Sequence, residues 1–303
     1  MQRFAKILLC VDVEAEGFDA EGGVPPELES AIAEANWVRE QSGGQVTVMT
    51  VLRGAETEPD LLDLAQVRLQ SAVVPRVDGE VTVVVLAGNP FVEVIRHVVR
   101  NGTDLVVVGA RKLSLVHRTL VGSTVKHLLN KCPCPVWVAP RRSEPGPRVV
   151  LSAVALHELT PLVLELSASV VARRGGRWNV FHCPEYPHEG GMRLRNAPLD
   201  QLEAYEHEVR QAAWKELHRH CDPLAESTGV TPKLWMSEGL PSEQISLALR
   251  ELQADVLVMG SVGHSGLVGT VIGSTAERVF NSTECSILTV KPTGFVTPVD
   301  LDG

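Results

Sequence analysis

The strongest constraint on this chain is that its sequence contains a repeat of itself. The segment 88–129 aligns without a gap with the segment 239–280, at a constant offset of 151 positions. Identical residues at this offset include Gly88 with Gly239, Asp104 with Asp255, and Gly122-Ser123-Thr124 with Gly273-Ser274-Thr275. A repeat of this length predicts two domains of one fold. We place them at residues 1–143 and 144–303, with the boundary inside the proline-rich, charged segment PRRSEPGPR.

Each copy alternates apolar strand-like runs with segments of helical periodicity. The runs DLVVVG and DVLVMG are unbroken, as expected for parallel strands that are covered on both faces. Strands are predicted at residues 5–12, 45–52, 81–86, 104–109 and 135–139, and again at 148–155, 177–183, 232–237, 255–260 and 286–291. The pattern predicts an α/β fold of two tandem doubly wound domains, each a five-stranded, mostly parallel sheet with helices on both faces.

The overall composition excludes several classes of function. The net charge is −9 with no clustered basic stripe, so we expect no nucleic-acid partner and no membrane-surface partner. No apolar run approaches the roughly 18–20 residues that a membrane span needs, and MQRFAKILLCVDV is interpreted as a buried strand rather than a signal peptide. Six cysteines without CxxC spacing favour a reducing cytoplasm over a disulfide scaffold.

A glycine-rich stretch, MGSVGHSGLVGTVIGST, joins a strand to a helix in the second copy. Gly260 ends the strand, at the edge of the sheet where ligands bind in open parallel folds. Gly273, Ser274 and Thr275 then open a helix, whose free backbone amides and positive dipole end favour an anion. The stretch therefore predicts a phosphate cradle, although it is not a Walker loop because no lysine follows the last glycine.

The same stretch resembles a known signature. Gly260-x-x-Gly263, followed after nine residues by Gly273-Ser274, is similar to the G-x-x-G-x9-G-[ST] motif of universal stress proteins, and KILLCVDV, GNP or GLP, DLVVVG and CPVWV stand in the order typical of that family. The resemblance covers both copies. It implies a cytoplasmic stress-response binding and regulatory protein that holds ATP or AMP, with Mg²⁺, at this loop. It also implies that the fifth strands pair, giving an intrachain pseudo-dimer and a possible homodimer.

The family's nucleotide-contact positions are only partly kept in the first copy. Asp12 stands at the adenine-contact position after the first strand, and Val51 stands at the second-strand position. Gly109, Gly122 and Ser123 match the loop, but Lys112 replaces its second glycine. The resemblance therefore implies base recognition in this copy with an altered phosphate loop.

The second copy shows the opposite combination. Its loop is complete, with Gly260, Gly263, Gly273, Ser274 and Thr275, whereas Val154 replaces the aspartate and Cys183 holds the second-strand position. We therefore expect a nucleotide or another phosphate-bearing, anionic ligand at the second-domain loop.

Evidence for catalysis or a metal is weak. No catalytic residue is assigned, because there is no nucleophile elbow, no HExxH motif and no carboxylate pair beside the glycines, so at most a weak ATPase is expected. No metal ligand is assigned either, although HRHC (residues 218–221) and His182-Cys183 could form a metal site. CPCPVW is interpreted as the approach to the fifth strand. The alternatives are an interaction protein that binds no nucleotide, and a sensor of a lipid or metal through the second domain.

Overall fold

All ten strands that the sequence predicts are present in the computed structural model, with bounds that differ from the prediction by at most two residues. The structure describes residues 4–15, 17–18, 22–54, 58–110, 122–140, 149–172, 176–261 and 273–301. In chain order, the strands are β1 (Lys6–Val11), β2 (Gln45–Arg53), β3 (Val81–Gly88), β4 (Leu105–Gly109), β5 (Val136–Ala139), β6 (Val149–Val154), β7 (Arg177–His182), β8 (Lys233–Met236), β9 (Val256–Gly260) and β10 (Ser286–Val290).

The helices lie between these strands. They are α1 (Pro26–Ser42), α2 (Pro59–Arg68), α3 (Pro90–Asn101), α4 (Ser123–Lys131), α5 (Thr160–Val171), α6 (Glu189–Leu194), α7 (Leu199–Thr228), α8 (Pro241–Leu252) and α9 (Ser274–Ser282). None of the helices in the described ranges combines the length and the apolar composition that crossing a bilayer would require.

The chain forms two compact units whose limits differ from the limits of the repeat. Residues 1–146 and 261–303 make up the first unit, and residues 147–260 make up the second. In the first unit, the strand order is β3-β2-β1-β4-β5-β10. Strands β1 to β5 are mutually parallel, whereas β10 runs antiparallel to β5, with Leu288 opposite Trp137. The two fifth strands of the repeat therefore pair with each other.

The second unit contains four parallel strands in the order β9-β6-β7-β8. Its core consists of apolar strand residues that helix α5 covers, since α5 packs on β6, β7 and β9. In each unit the strand order reverses beside the first strand of the copy, which is β1 in the first unit and β6 in the second. The α/β class and the parallel sheet predicted from the sequence are confirmed.

Two aspartates of the repeat hold the first strand of each copy in place. The Asp104 carboxylate accepts hydrogen bonds from the backbone N–H of Ala5 (2.8 Å) and of Lys6 (3.0 Å). At the matching position of the second copy, Asp255 accepts one from the N–H of Val149 at 2.7 Å. These contacts explain, without a ligand, why an aspartate precedes the central strand in both copies.

Replacing Asp104 with asparagine should lower the free energy of unfolding by about 1–3 kcal/mol, because one of two charge-assisted hydrogen bonds is replaced by an amide that faces another donor. Urea unfolding followed by circular dichroism measures the change. Asp63→Asn, at an exposed position on α2, is the matched control and should change stability by less than about 0.5 kcal/mol. Equal stabilities of the two variants would contradict this role for Asp104.

Candidate functional site

Two neighbouring pockets lie in the first unit, where the carboxyl ends of β2 and β3 face the start of α4. The α4 pocket, of about 450 Å³, is lined by Arg53, Gly54, Gly88, Asn89, Pro90, Phe91, Ser123, Thr124 and His127. The α2 pocket, of about 400 Å³, is lined by Val13, Glu14, Leu52, Arg53, Gly54, Glu58, Leu61, Leu64, Ala65 and Arg68. Because both pockets include Arg53 and Gly54, one elongated ligand can occupy both.

The α4 pocket reaches the N-terminus of a helix that has no capping side chain. Gly122 is the N-cap of α4, and no side chain among the described residues bonds to the first turn. A Cβ atom added to Gly122 would meet no described atom within 4 Å, so packing within the described chain does not require a glycine there. The first-turn amides, together with the exposed Ser123 hydroxyl, can therefore bind a phosphate group.

Aromatic rings form another wall of the α4 pocket. The rings of Phe91 and His127 are stacked with centroids 4.2 Å apart, and Lys131 Nζ lies 4.9 Å from the centroid of the Phe91 ring. Burial lowers the pKa of His127 below its usual value of 6.5, and the positive charge of Lys131 lowers it further. His127 is therefore neutral at pH 7 and can donate or accept a hydrogen bond with a ligand.

The α2 pocket combines apolar side chains with two arginines and two glutamates. The Leu61 and Leu64 side chains are each 49% exposed, an unusual exposure for leucines that face a concave surface. Arg68 Nη1 donates a hydrogen bond to the carbonyl oxygen of Val13 at 3.1 Å. The Arg53 side chain is exposed at the end of β2. These groups suit a ligand with an apolar or planar body and a nearby negative charge.

The predicted base-recognition residues lie beside the pockets. Asp12 is exposed directly after β1, and its Oδ1 accepts a hydrogen bond from the Glu14 N–H at 3.1 Å. Val51 is half-buried in β2, opposite Leu86 of β3. Among the described residues, it is their neighbours in sequence, Val13 and Leu52, that line the α2 pocket.

The glycines that end the central strands are in close contact with the chain itself. A Cβ atom on Gly109 would lie 2.7 Å from the carbonyl oxygen of Glu27, in the first turn of α1. A Cβ atom on Gly260 would lie 2.7 Å from Cδ1 of Leu159, the residue before α5. The α1 backbone therefore already requires glycine at position 109, whether or not a ligand is bound, whereas at position 260 the close contact is with the end of a leucine side chain that can rotate away.

The second copy has a different set of polar contacts at the end of its second strand. Nδ1 of the buried His182 donates a hydrogen bond to the carbonyl oxygen of Val154 at 2.9 Å, and burial lowers the pKa of His182. The Cys183 thiol donates to the carbonyl oxygen of Gly239 at 3.2 Å. Burial raises the pKa of Cys183, and Glu185 and Glu238 raise it further, so this thiol is protonated at neutral pH.

The glycine loop of the second copy is described only at its ends. Gly263 and His264 lie outside the described residues, as does Lys112 in the corresponding loop of the first copy. The N–H of Gly273 donates to the carbonyl oxygen of Ser261 at 3.1 Å, and α9 begins at the exposed Ser274 without a side-chain cap among the described residues. The start of α9 thus resembles the start of α4.

Sequence reasoning missed a second pair of glycines with a structural requirement. Gly88 has φ +139° and Gly239 has φ +120°, in the region that side chains rarely adopt. Added Cβ atoms would lie 3.2 Å from Glu93 Cγ and 3.1 Å from Gln244 Nε2, respectively. The repeat aligns these two glycines, and each lies two residues before the proline that begins a helix, Pro90 or Pro241. This shared position was the signal that could have identified them. Arg53 gave no comparable signal.

The histidines do not gather into a metal site in the described part of the chain. No group of three or more His, Cys, Asp or Glu side chains that could hold a metal lies together there. His218 instead contacts Asp222 at 3.2 Å, and His220 contacts Glu216 at 3.2 Å, one helical turn away in each case.

Comparison with known proteins agrees with this architecture. The model of the universal stress protein family matches residues 5–140 and 147–291. The chain therefore belongs to the universal stress protein family, which acts in the stress response, and it carries two such domains in tandem.

Among individual relatives, universal stress protein E of Escherichia coli K12 is 30% identical over 227 residues, which cover 72% of this chain and 70% of that protein. A universal stress protein from Archaeoglobus fulgidus shares the fold with a TM-score of 0.65 at 18% identity, over 95% of this chain and 98% of that one. A functionally unknown protein from Pseudomonas aeruginosa PAO1 shares the fold with a TM-score of 0.68 at 19% identity, over 96% of this chain and 94% of that one.

Proposed function

We propose that this chain is a cytoplasmic stress-response binding protein whose ligand is ATP, AMP or a related phosphate-bearing molecule, with Mg²⁺ accompanying a polyphosphate. The observation that carries the proposal is the pair of joined pockets at the uncapped start of α4. The complete glycine signature before α9 supports an equivalent site in the second copy. Six free cysteines favour a reducing compartment.

In the first copy, the α4 amides and the hydroxyls of Ser123 and Thr124 would hold phosphate oxygens, and Arg53 would neutralise their charge. The base would lie against the leucines of the α2 pocket, near Asp12 and Val51. Gly109 then acts by letting α1 approach, rather than by touching the ligand.

In the second copy, Gly263 and the start of α9, with Ser274 and Thr275, would hold the phosphates, and Gly260 would shape the turn. Cys183 takes the second-strand position without an aspartate partner, so selection of the base is weaker there than in the first copy. Turnover would be weak at most, because the sequence carries neither a nucleophile elbow nor an HExxH motif.

A phosphate-bearing lipid is the second candidate ligand. The half-exposed Leu61 and Leu64, together with Val67 at 59% exposure on the same helix, favour a ligand with an apolar body larger than a nucleobase. Mass spectrometry of whatever copurifies with the native protein separates this candidate from a nucleotide, and a preparation that carries neither supports the interaction protein instead.

Replacing Gly122 or Gly273 with aspartate should abolish binding at the corresponding copy. Aspartate is a favoured N-cap residue, and at Gly122 its side chain meets no described atom, so the fold should be kept while a carboxylate occupies the phosphate position. Isothermal titration calorimetry with ATP, ADP and AMP plus Mg²⁺ measures affinity and stoichiometry for each variant.

Gly190→Asp is the matched control, because a Cβ atom at this α6 position also meets no described atom within 4 Å and the residue belongs to neither loop. It should bind as the parent does. Absence of heat and of a thermal shift with all three nucleotides in the parent protein would contradict the proposed function. Unchanged affinity in both loop variants would contradict the proposed location.

A further inference from the structure

Two cysteine sulfurs lie close together in the turn that joins α4 to β5. This turn, here named the CPC turn, comprises Cys132, Pro133 and Cys134. The Sγ atoms of the two cysteines are 3.5 Å apart. Cys132 is fully buried and Cys134 is half-buried. The sequence interpretation of CPCPVW as the approach to a strand accounts for the prolines but not for the proximity of these sulfurs.

A buried lysine lies beside the CPC turn. The Lys291 side chain is only 6% exposed, and its Nζ donates hydrogen bonds to the carbonyl oxygen of Leu129 and to Oγ of Ser261. Leu129 is in the last turn of α4, three residues before Cys132. The ammonium group therefore places a positive charge near the thiols where little water can screen it.

The pKa values of the two thiols are shifted in opposite directions. The hydrogen bond from Cys134 lowers the pKa of Cys132, and Lys291 lowers it further, whereas burial opposes both effects. The pKa of Cys134 is raised by the same hydrogen bond, by burial and by the charges of Cys132 and Asp104. These shifts favour a thiolate on Cys132 that accepts a hydrogen bond from the Cys134 thiol, and the thiolate is the reactive form of a dithiol.

We propose that Cys132 and Cys134 form a redox-active dithiol that exchanges with small disulfides of the glutathione disulfide class and closes into an intrachain disulfide. The more exposed Cys134 sulfur, after passing its proton to Cys132, attacks one sulfur of the small disulfide and releases a thiolate. Cys132 then attacks the Cys134 sulfur and expels the second small molecule, which takes the proton.

The stoichiometry of this exchange is balanced. One thiolate–thiol pair and one small disulfide give one protein disulfide, one small thiolate and one small thiol, and two electrons pass from the protein to the small molecule. Strained or exposed disulfides are the labile, regulatory kind, and one end of this bond, Cys134, is half-buried rather than buried. The CPC turn thereby links the redox state of the cell to a stress-response protein.

The repeat supplies an internal control for this chemistry. At the offset of 151 positions, Cys285 corresponds to Cys134, but Thr283 occupies the position of Cys132. The turn of the second copy therefore has one sulfur where the first has two, and it cannot close an equivalent bond.

The test equilibrates the full-length protein in glutathione buffers that run from fully reduced to fully oxidised, followed by thiol alkylation, intact mass and peptide mapping. We expect two of the six thiols to be lost together at an intermediate ratio, the alkylated protein to carry four adducts instead of six, and the bond to map to Cys132 and Cys134. Cys132→Ser and Cys134→Ser should each abolish this change, whereas Cys285→Ser should keep it.

Four results would overturn the proposal, and each is measured on the parent protein, so none depends on whether a variant folds. They are full reduction at every ratio, oxidation that persists in excess reduced glutathione, a stable glutathione adduct without an intrachain bond, and a disulfide that maps to Cys10. Lys291→Met should slow the exchange at pH 7, because the ammonium group lowers the pKa of Cys132 and its loss reduces the thiolate fraction of the pair.

Discussion

Replacing Trp137 with alanine should lower the free energy of unfolding by about 3–5 kcal/mol, the largest effect expected of any single substitution in this chain. Trp137 is 0% exposed and lies in β5, with Val107 of β4 on one side and Leu288 of β10 on the other. Its ring is 5.8 Å from the ring of Trp37 on α1, so the truncation leaves a cavity bordered by both the sheet and a helix. Urea unfolding followed by circular dichroism measures the loss.

Two companion variants make this prediction specific. Trp214→Ala, at a 37% exposed position on α7, should cost less than about 1.5 kcal/mol. Trp137→Phe should cost less than Trp137→Ala, because the ring remains and the buried Nε1, which has no acceptor among the described residues, is removed. Equal losses for the two alanine variants would show that β5 is not part of the core.

The second large effect is a pH dependence that Lys291→Met should remove. Burial lowers the pKa of Lys291 from 10.5 to about 8. Between these values the unfolded chain binds a proton that the folded chain does not, so the contribution of Lys291 to stability rises with pH. Between these two pH values, the free energy of unfolding of the parent should increase by about 3 kcal/mol relative to that of Lys291→Met.

The measurement is urea unfolding of both proteins at pH 7, 8 and 10.5 under reducing conditions, so that the cysteines stay as thiols. The comparison is made as a difference, because the raised pKa values of Cys183 and Cys221 act in the opposite direction and are common to both proteins. Lys233→Met, at an exposed position on β8, controls for the loss of one lysine. Parallel stability profiles for the parent and Lys291→Met would contradict the buried, proton-releasing state of the amine.

The strands were predictable because the central ones are continuous apolar runs, and the repeat shows each such run twice. DLVVVG becomes β4, in which Leu105, Val106 and Val107 are 0% exposed. The prolines at the start of α3 and α8 were equally informative, since a first-turn proline marks a helix start in both copies. These are local signals, and each is contained within a few residues.

What sequence reasoning missed depends on residues that are distant in the chain. Gly109 looks like a residue that admits a ligand, but its nearest neighbour is the carbonyl oxygen of Glu27. Arg53 gains significance only because β2 ends between two pockets. Lys291 is 157 positions beyond Cys134, and no periodicity links a lysine after the last strand to a turn in the first copy.

The repeat alone does not show how the chain groups in space, although the family resemblance implied that the two fifth strands pair. The repeat put the boundary at residues 143 and 144, whereas the compact units group residues 261–303 with residues 1–146. The antiparallel ladder between β5 and β10 accounts for this, because it attaches the end of the second copy to the sheet of the first. A repeat in sequence reports common ancestry of two segments, not which segments share a core.

The pairing of β5 with β10 determines when the first unit can finish folding during synthesis. Because β10 covers the β5 edge, a nascent chain leaving the ribosome must carry the strand VWVA with unsatisfied peptide groups until residues 286–290 have been translated. The N-terminal half of the polypeptide is therefore synthesised first but completed last. During that interval the free edge of β5 can pair with another strand, including β5 of a second nascent chain.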